Sequence, residues 1–361
     1  MELLTRTLKF ANKKWRPSHY HFAPEWIVLG VNNTCNLHCK MCDVGTKNFD
    51  TNFATNLVGT TPLNMPLELF TRIADQTAQF FPAAKLGFAF TEPLAWPHMV
   101  KAVEYASAKQ LHTAITTNAL LLPNKAEALA KAGLSEIFVS LDGLESTHNE
   151  IRGNDKSFAK ALEGIKKLFS FENHPKVSIV SAITEWNVEG LRQFADHFSD
   201  LPLHEIGFMH TQFGEPSIAA LHNRVWGTRY PATESNVDET NMANMDLPLL
   251  LSQIRSITES KYRYRIYFSP ELHSLAALDQ YYNRPEVILG KRCEAVYSSI
   301  MIKSDGSAIP AHGRCYNLRL GNLYESDIRQ LWNAEAFGAF RKDLRDAGGF
   351  LPACSRCCSA F

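Results

Sequence analysis

From residue 25 to about 210 the sequence alternates between two hydrophobic patterns, and few folds accept that order. Short β-branched or aromatic runs at 26–31, 85–90, 112–116, 136–141, 177–183 and 204–209 read as strands. Between them, stretches at 67–81, 99–109, 125–132, 158–169 and 188–198 carry apolar residues at helical spacing. Pro66 and Pro123 stand where helices begin, a position that needs no N–H. Repeated strand–helix units imply parallel strands joined by right-handed crossovers. The fold class is therefore α/β: a closed or incomplete barrel, or an open doubly wound sheet. In either, function collects in the loops at the carboxyl ends of the strands.

The loop after the first strand is Cys35-Asn36-Leu37-His38-Cys39-Lys40-Met41-Cys42, three cysteines spaced Cys-x3-Cys-x2-Cys. Thiolates suit zinc and iron–sulfur clusters. Structural zinc takes four ligands, commonly in two Cys-x2-Cys pairs, so three thiolates fit it poorly. Three ligands on a cluster leave one metal position open, where a small molecule can bind. The other cysteines are Cys293, Cys315, Cys354, Cys357 and Cys358, with none between 43 and 292. Two groups separated by a long cysteine-free stretch point to metal binding in a reducing compartment, not to a disulfide framework. The start of the chain lacks a signal-peptide core, and no apolar run has the roughly 18 residues a bilayer span needs. The expected setting is cytoplasmic, without membrane contact. Lys+Arg equals Asp+Glu at 37 each, and no basic tail or RNA-binding module is visible, so no nucleic-acid partner is expected.

These residues resemble the radical S-adenosylmethionine (radical SAM) superfamily. The cysteine loop stands where that family binds a [4Fe–4S] cluster, whose open iron chelates S-adenosylmethionine for reductive cleavage to a 5′-deoxyadenosyl radical. Phe90-Thr91-Glu92-Pro93-Leu94 is similar to the family's Gly-Gly-Glu-Pro-Leu, with Phe90 and Thr91 in the glycine positions. Thr116-Thr117-Asn118 matches Thr-Asn-Gly, with Ala119 in the place of glycine. Ser140-Leu141-Asp142-Gly143, followed by Arg152-Gly153, matches the Ser-Leu-Asp-Gly…Arg-Gly run. The resemblance implies cofactor contacts at Thr91, Glu92, Asn118, Ser140, Asp142, Arg152 and Ile183, with Arg152 as a carboxylate clamp. Asp142 is alternatively a helix N-cap, Asn118 a turn cap, and Ile183 a core residue.

Around the second cysteine group, Gly321-Asn322-Leu323…Leu331-Trp332-Asn333…Arg341 resembles the auxiliary-cluster SPASM and twitch domains. It implies one auxiliary [4Fe–4S] cluster held by Cys293, Cys315, Cys354 and Cys357, with Cys358 as an alternative ligand. The family's second cysteine falls at Ala311, and Cys315 lies four residues further on, so either the loop is longer or the ligand differs. His312 is a weaker substitute. Two separated cysteines plus a Cys-x2-Cys pair is also a zinc pattern.

The resulting organisation is a lead-in over 1–24, a partial (β/α)6 TIM-like barrel over 25–212, a connecting, substrate-covering segment over 213–285, and a small α+β cluster-binding domain over 286–361. The expected activity is a radical SAM oxidation of a small polar metabolite (a sugar, cyclitol or nucleoside), with a flavodoxin- or ferredoxin-like electron donor. His210 and Glu215, after the sixth strand, are the candidate general bases. The alternatives are a peptide- or protein-modifying maturase, whose extended substrate the 214–247 segment would hold, and a non-catalytic iron–sulfur or zinc scaffold. With no separate peptide-binding domain visible before 25 or after 358, the small substrate is preferred.

Overall fold

A computed structural model describes residues 2–361, with side chains from residue 4 onward. Its ten strands form one sheet. They are β1 (Trp26–Gly30), β2 (Lys85–Phe88), β3 (Thr113–Thr117), β4 (Glu136–Ser140), β5 (Lys176–Ile183), β6 (Glu205–His210), β7 (Arg265–Ser269), β8 (Ser299–Lys303), β9 (Ser307–Pro310) and β10 (Gly321–Asn322). The order across the sheet is β10-β9-β8-β1-β2-β3-β4-β5-β6-β7. The six expected strands pair in parallel as an open barrel, and β7 adds a seventh parallel strand on β6.

The first and last strands of this order do not pair, so the barrel stays open. The amphipathic helices cover the strands as their spacing predicts. Leu67–Phe80 buries Leu69, Phe70, Ile73 and Ala74, and Phe70 stacks on Phe88 of β2. Pro66 is the N-cap of that helix, and Pro123 lies in the first turn of Leu122–Lys131.

Three features depart from local expectation. The 1–24 segment is no loose lead-in: Glu2–Trp15 is helical, and Tyr20 is buried against Tyr297 and Trp332. The stretch after β6 holds the helix Pro216–Trp226, opened by Glu215 and a first-turn proline. The C-terminal hairpin β8–β9 does not stand apart, because β8 continues the barrel sheet in parallel with β1, Ile27 opposite Ile300. Among the described residues, no helix is long and apolar enough to cross a membrane.

Candidate active site

The cysteine loop leaves the carboxyl end of β1 and is stitched to the end of the helix Glu145–Arg152. His38 N–H donates to the Arg152 carbonyl at 3.3 Å, and Lys40 N–H to the Ile151 carbonyl at 3.0 Å. Gly153 ends that helix in the left-handed region (φ 65°), and a side chain there would meet His38. This explains physically why glycine follows Arg152.

The thiols of Cys35 and Cys39 are pushed up by burial, Cys39 to about 12. Each has a donor close to its sulfur: Asn118 Nδ2 lies 4.0 Å from Cys35 Sγ, and Arg152 Nη1 3.7 Å from Cys39 Sγ. Buried thiolates need compensating positive charge, which a cluster supplies, and N–H groups aimed at sulfur tune its potential. Cys35, Cys39 and Cys42 sense one another's charge. Among the described residues, however, only His312, Cys357 and Cys358 bring ligand atoms within 4.8 Å of one another. A single zinc with bonds of about 2.3 Å would need its sulfurs closer than the loop holds them. The donor set and its spread fit a cluster.

The loops after β2, β3 and β4 close around this one. Glu92 is fully buried; its carboxylate accepts from Leu94 N–H, Thr117 Oγ1 and Asn118 N–H at 2.7–2.8 Å. Burial nevertheless pushes its carboxyl up. Asn118 Oδ1 caps its own turn at Leu120, while its Nδ2 reaches Asn36 in the cysteine loop. Thr91 Oγ1 donates to Asn32 Oδ1 at 2.6 Å.

The three positions where glycine was replaced all keep a left-handed backbone: Phe90 (φ 65°), Thr91 (φ 42°) and Ala119 (φ 61°). The path of the loops is thus retained at a strain of about 1–2 kcal/mol per residue.

Asp142 is not a helix N-cap, since that position is Leu144. Its Oδ1 accepts from Ala182 N–H and its Oδ2 from Arg152 Nε at 2.5 Å. Burial opposes the charge on Arg152, yet Asp142 and the Cys39 sulfur hold it above its ordinary value. The pair is oriented by His148, whose Nδ1 accepts from Asp142 N–H. Burial, with Arg152 nearby, pushes His148 down to about 4. The Ser140 side chain, half-buried at the end of β4, makes no hydrogen bond among the described residues. Ile183 is fully buried in the barrel core.

His210 is also buried, with Nδ1 2.7 Å from Tyr282 OH, and burial pushes it down to about 3. A ring this hard to protonate is a poor proton acceptor. Glu215 opens the helix Pro216–Trp226 beside the cavity described next, and its charge reaches Arg356.

Cys293, Cys315, Cys354 and Cys357 line one cavity. Burial pushes Cys293 up to about 12, and raises Cys315 and Cys354. Cys315 senses both Cys293 and Cys354, so the longer loop after β9 returns it to the group. The turn begins at Ala311, itself left-handed (φ 56°). In the adjacent pair each thiol shifts the other, Cys357 held up and Cys358 held down, with His312 helping to lower Cys358.

Three contacts that local pattern did not reveal tie this end of the barrel to the auxiliary region and to the segment after β6. Asn56 Nδ2 donates to the carbonyls of Gly313 (3.0 Å) and Cys315 (2.7 Å). The Phe90 ring lies 6.3 Å from that of His312. Asp43, directly after Cys42, accepts from Thr51, Ser235 and Asn236 N–H, pinning the covering segment to the cysteine loop. Phe90 stands in the motif after β2 and Asp43 next to Cys42, but nothing local pointed to Asn56.

Residues 30–198 match the radical SAM superfamily, and residues 293–358 match SPASM, an iron–sulfur cluster-binding domain. The chain thus carries a radical SAM domain and a SPASM domain. A radical SAM domain takes a [4Fe–4S] cluster and S-adenosylmethionine, and the SPASM domain an auxiliary iron–sulfur cluster. The chain is 21% identical to a tungsten-containing aldehyde ferredoxin oxidoreductase cofactor-modifying protein of Pyrococcus furiosus, across 92% of this chain and 87% of that protein. It is 28% identical to the Fe-coproporphyrin III synthase of Methanosarcina barkeri, over 51% of this chain and 43% of the synthase. In fold it is similar to Streptococcus suis SuiB bound to precursor peptide SuiA: TM-score 0.64, 19% identity, covering 98% of this chain and 76% of that one.

Proposed function

We propose that this radical SAM protein oxidises a small polar metabolite held between its two cysteine sites. Cys35, Cys39 and Cys42 would hold the first cluster, and Cys293, Cys315, Cys354 and Cys357 the auxiliary one. When bound, the first cluster and S-adenosylmethionine supply the radical that abstracts hydrogen from substrate. The observation that carries this reading is the cavity beside the auxiliary cysteines, which the barrel loops share through Asn52, Gln212 and Gly214. Among the described residues, one polar atom there lacks a hydrogen bond and one charge lacks an ion-pair partner. Gln212 Oε1 is buried without a hydrogen bond, and Arg314 forms no ion pair, its guanidinium lying 4.3 Å from the Phe53 ring centroid. They suit a hydroxyl or amine donor and an anionic group on one small molecule.

The covering segment spends its hydrogen bonds on the chain itself. Besides the bonds to Asp43, Asp238 accepts from Thr46 and Asn48, and Thr233 from Asn52 N–H. Such a roof excludes water and leaves little open edge for an extended peptide. Two of the relatives carry names of small-molecule chemistry, a porphyrin and a metalloenzyme cofactor, in line with this reading. Glu215 serves as proton acceptor, since it follows Gly214 of the cavity wall and is partly exposed, whereas His210 is fully buried.

The test is anaerobic reconstitution with iron and sulfide, then deoxyadenosine measurement under dithionite. About eight irons per chain are expected, four per [4Fe–4S] unit. Cys35→Ala, Cys39→Ala or Cys42→Ala should abolish deoxyadenosine. A low-molecular-weight extract fraction should stimulate it, and Glu215→Gln should keep cleavage while cutting product formation by about 10²-fold or more. Stimulation by the peptide fraction alone would overturn the small-molecule reading.

A further inference from the structure

Cys293 borders two cavities. One is the auxiliary cysteine pocket; the other is an outward groove on the far side, between the N-terminal helix Glu2–Trp15 and the end of the helix Glu335–Asp346. That groove is lined by Lys13, Lys14, Lys291, Arg292 and Arg345. The acidic groups facing them are Glu294, paired with Lys13 and Arg292, and Asp346, paired with Arg345. Lys14 and Lys291 are exposed and form no ion pair among the described residues. In a chain of formal net charge zero, this is a local concentration of positive charge. Phe10, 52% exposed, adds an apolar contact beside it.

We propose that this groove docks a one-electron carrier protein with an acidic face, and that electrons cross between carrier and auxiliary cluster at Cys293. The inference rests on the reading of Cys293 as an auxiliary-cluster ligand. Charge complementarity selects the occupant's sign, and a cluster ligand in the groove wall selects its chemistry. A polyanion such as RNA would match the charge but has no use for a redox centre behind it. In the oxidation proposed above, one electron leaves through the Cys293 wall and the oxidised carrier is reduced by one. No bond is made or broken. Opposed charge patches steer such encounters and raise on-rates by about 10–10³-fold, an effect that salt screens.

The experiment is titration of reconstituted enzyme with flavodoxin, an acidic one-electron flavoprotein, followed by calorimetry at low and high salt. Binding should weaken with salt, and Lys14→Glu with Lys291→Glu should raise Kd at least about tenfold. The neutral pair Lys14→Gln with Lys291→Gln should raise it less. Carbodiimide cross-links should map to Lys13, Lys14 or Lys291, and dithionite-driven deoxyadenosine formation should stay unchanged in both variants. Unaltered affinity after charge reversal, cross-links elsewhere, or equal binding of basic cytochrome c would overturn the docking site. Loss of dithionite-driven cleavage in the reversed pair would make the neutral pair the deciding measurement. The underlying reading fails separately: Cys293→Ala would then retain about eight irons.

Discussion

Ala119 sits fully buried at φ 61°, where an L-residue pays about 1–2 kcal/mol and glycine pays almost nothing. Glycine there relieves that strain but loses a buried methyl and adds unfolded-state entropy, each of nearly 1 kcal/mol. Ala119→Gly should therefore change stability by no more than about 1 kcal/mol, while Ala119→Val, β-branched, should cost more than about 2 kcal/mol. Paired melting curves check this; equal effects of the two substitutions would contradict the backbone argument. His148 gives a pH test. Its pKa falls from 6.5 to about 4 on folding, chiefly by burial. The unfolded chain then binds more protons between these values, so stability is whole above pH 6.5 and drains as pH falls toward 4. By pH 5 the loss is about 2 kcal/mol. His210, buried and pushed down to about 3, adds a loss of the same sign. Melting temperature should drop between pH 7 and pH 5, and drop less in His148→Gln.

At the scale of elements, motif loops were legible because each follows a strand whose apolar run is local. β1 through β6 begin and end within one residue of the sequence reading, except that β2 stops two residues early. The helices Glu2–Trp15 and Pro216–Trp226 were not read from the sequence: the first leaves Leu4, Leu8, Phe10 and Trp15 exposed, and the second opens in a glycine- and proline-bordered stretch. The site residues Asn56 and Asp43 were hidden for a different reason. Asn56 bonds to a carbonyl 257 positions away and Asp43 to an amide 193 positions away, and no local pattern encodes such partners. Asp43 is 1% exposed and holds the covering segment to the cysteine loop through two accepted hydrogen bonds, from Ser235 and Asn236 N–H, and accepts a third from Thr51. Asp43→Ala strands those donors, at about 1–3 kcal/mol each in the folded state, less whatever water recovers. Amide exchange across 231–241 should rise several-fold, and deoxyadenosine formed without product should increase as water enters. Unchanged exchange in that segment would show that other contacts hold it.

For the whole molecule, the decisive pairing is β1 with β8, from Trp26 opposite Ser299 to Gly30 opposite Lys303. The motif string of the C-terminal region implied a cluster site, and Asp305-Gly306 between two apolar runs is a hairpin signal. Neither announced that the hairpin would complete the barrel's edge, because an apolar strand does not name its neighbour. Leu323, Trp332, Phe337 and Phe340 belong to the same continuous core as the barrel strands. Arg341, fully buried, donates to the carbonyls of Val296 and Trp332, and the 1–24 segment leans on that layer through Tyr20. Removing the auxiliary thiols and removing the auxiliary region should thus differ sharply. Replacing Cys293, Cys315, Cys354 and Cys357 by alanine deletes ligands but leaves the apolar core and the β1–β8 ladder. That variant should lose about four irons, stay monodisperse, and still form deoxyadenosine under dithionite. A chain ended at Asn283 turns β1 into a bare, apolar edge, a template for aggregation. It should elute as aggregate on size exclusion and fail to form deoxyadenosine even after reconstitution. A monodisperse, cleaving truncated chain would mean that the barrel is self-sufficient and that the shared sheet contributes nothing to holding the cysteine loop after β1.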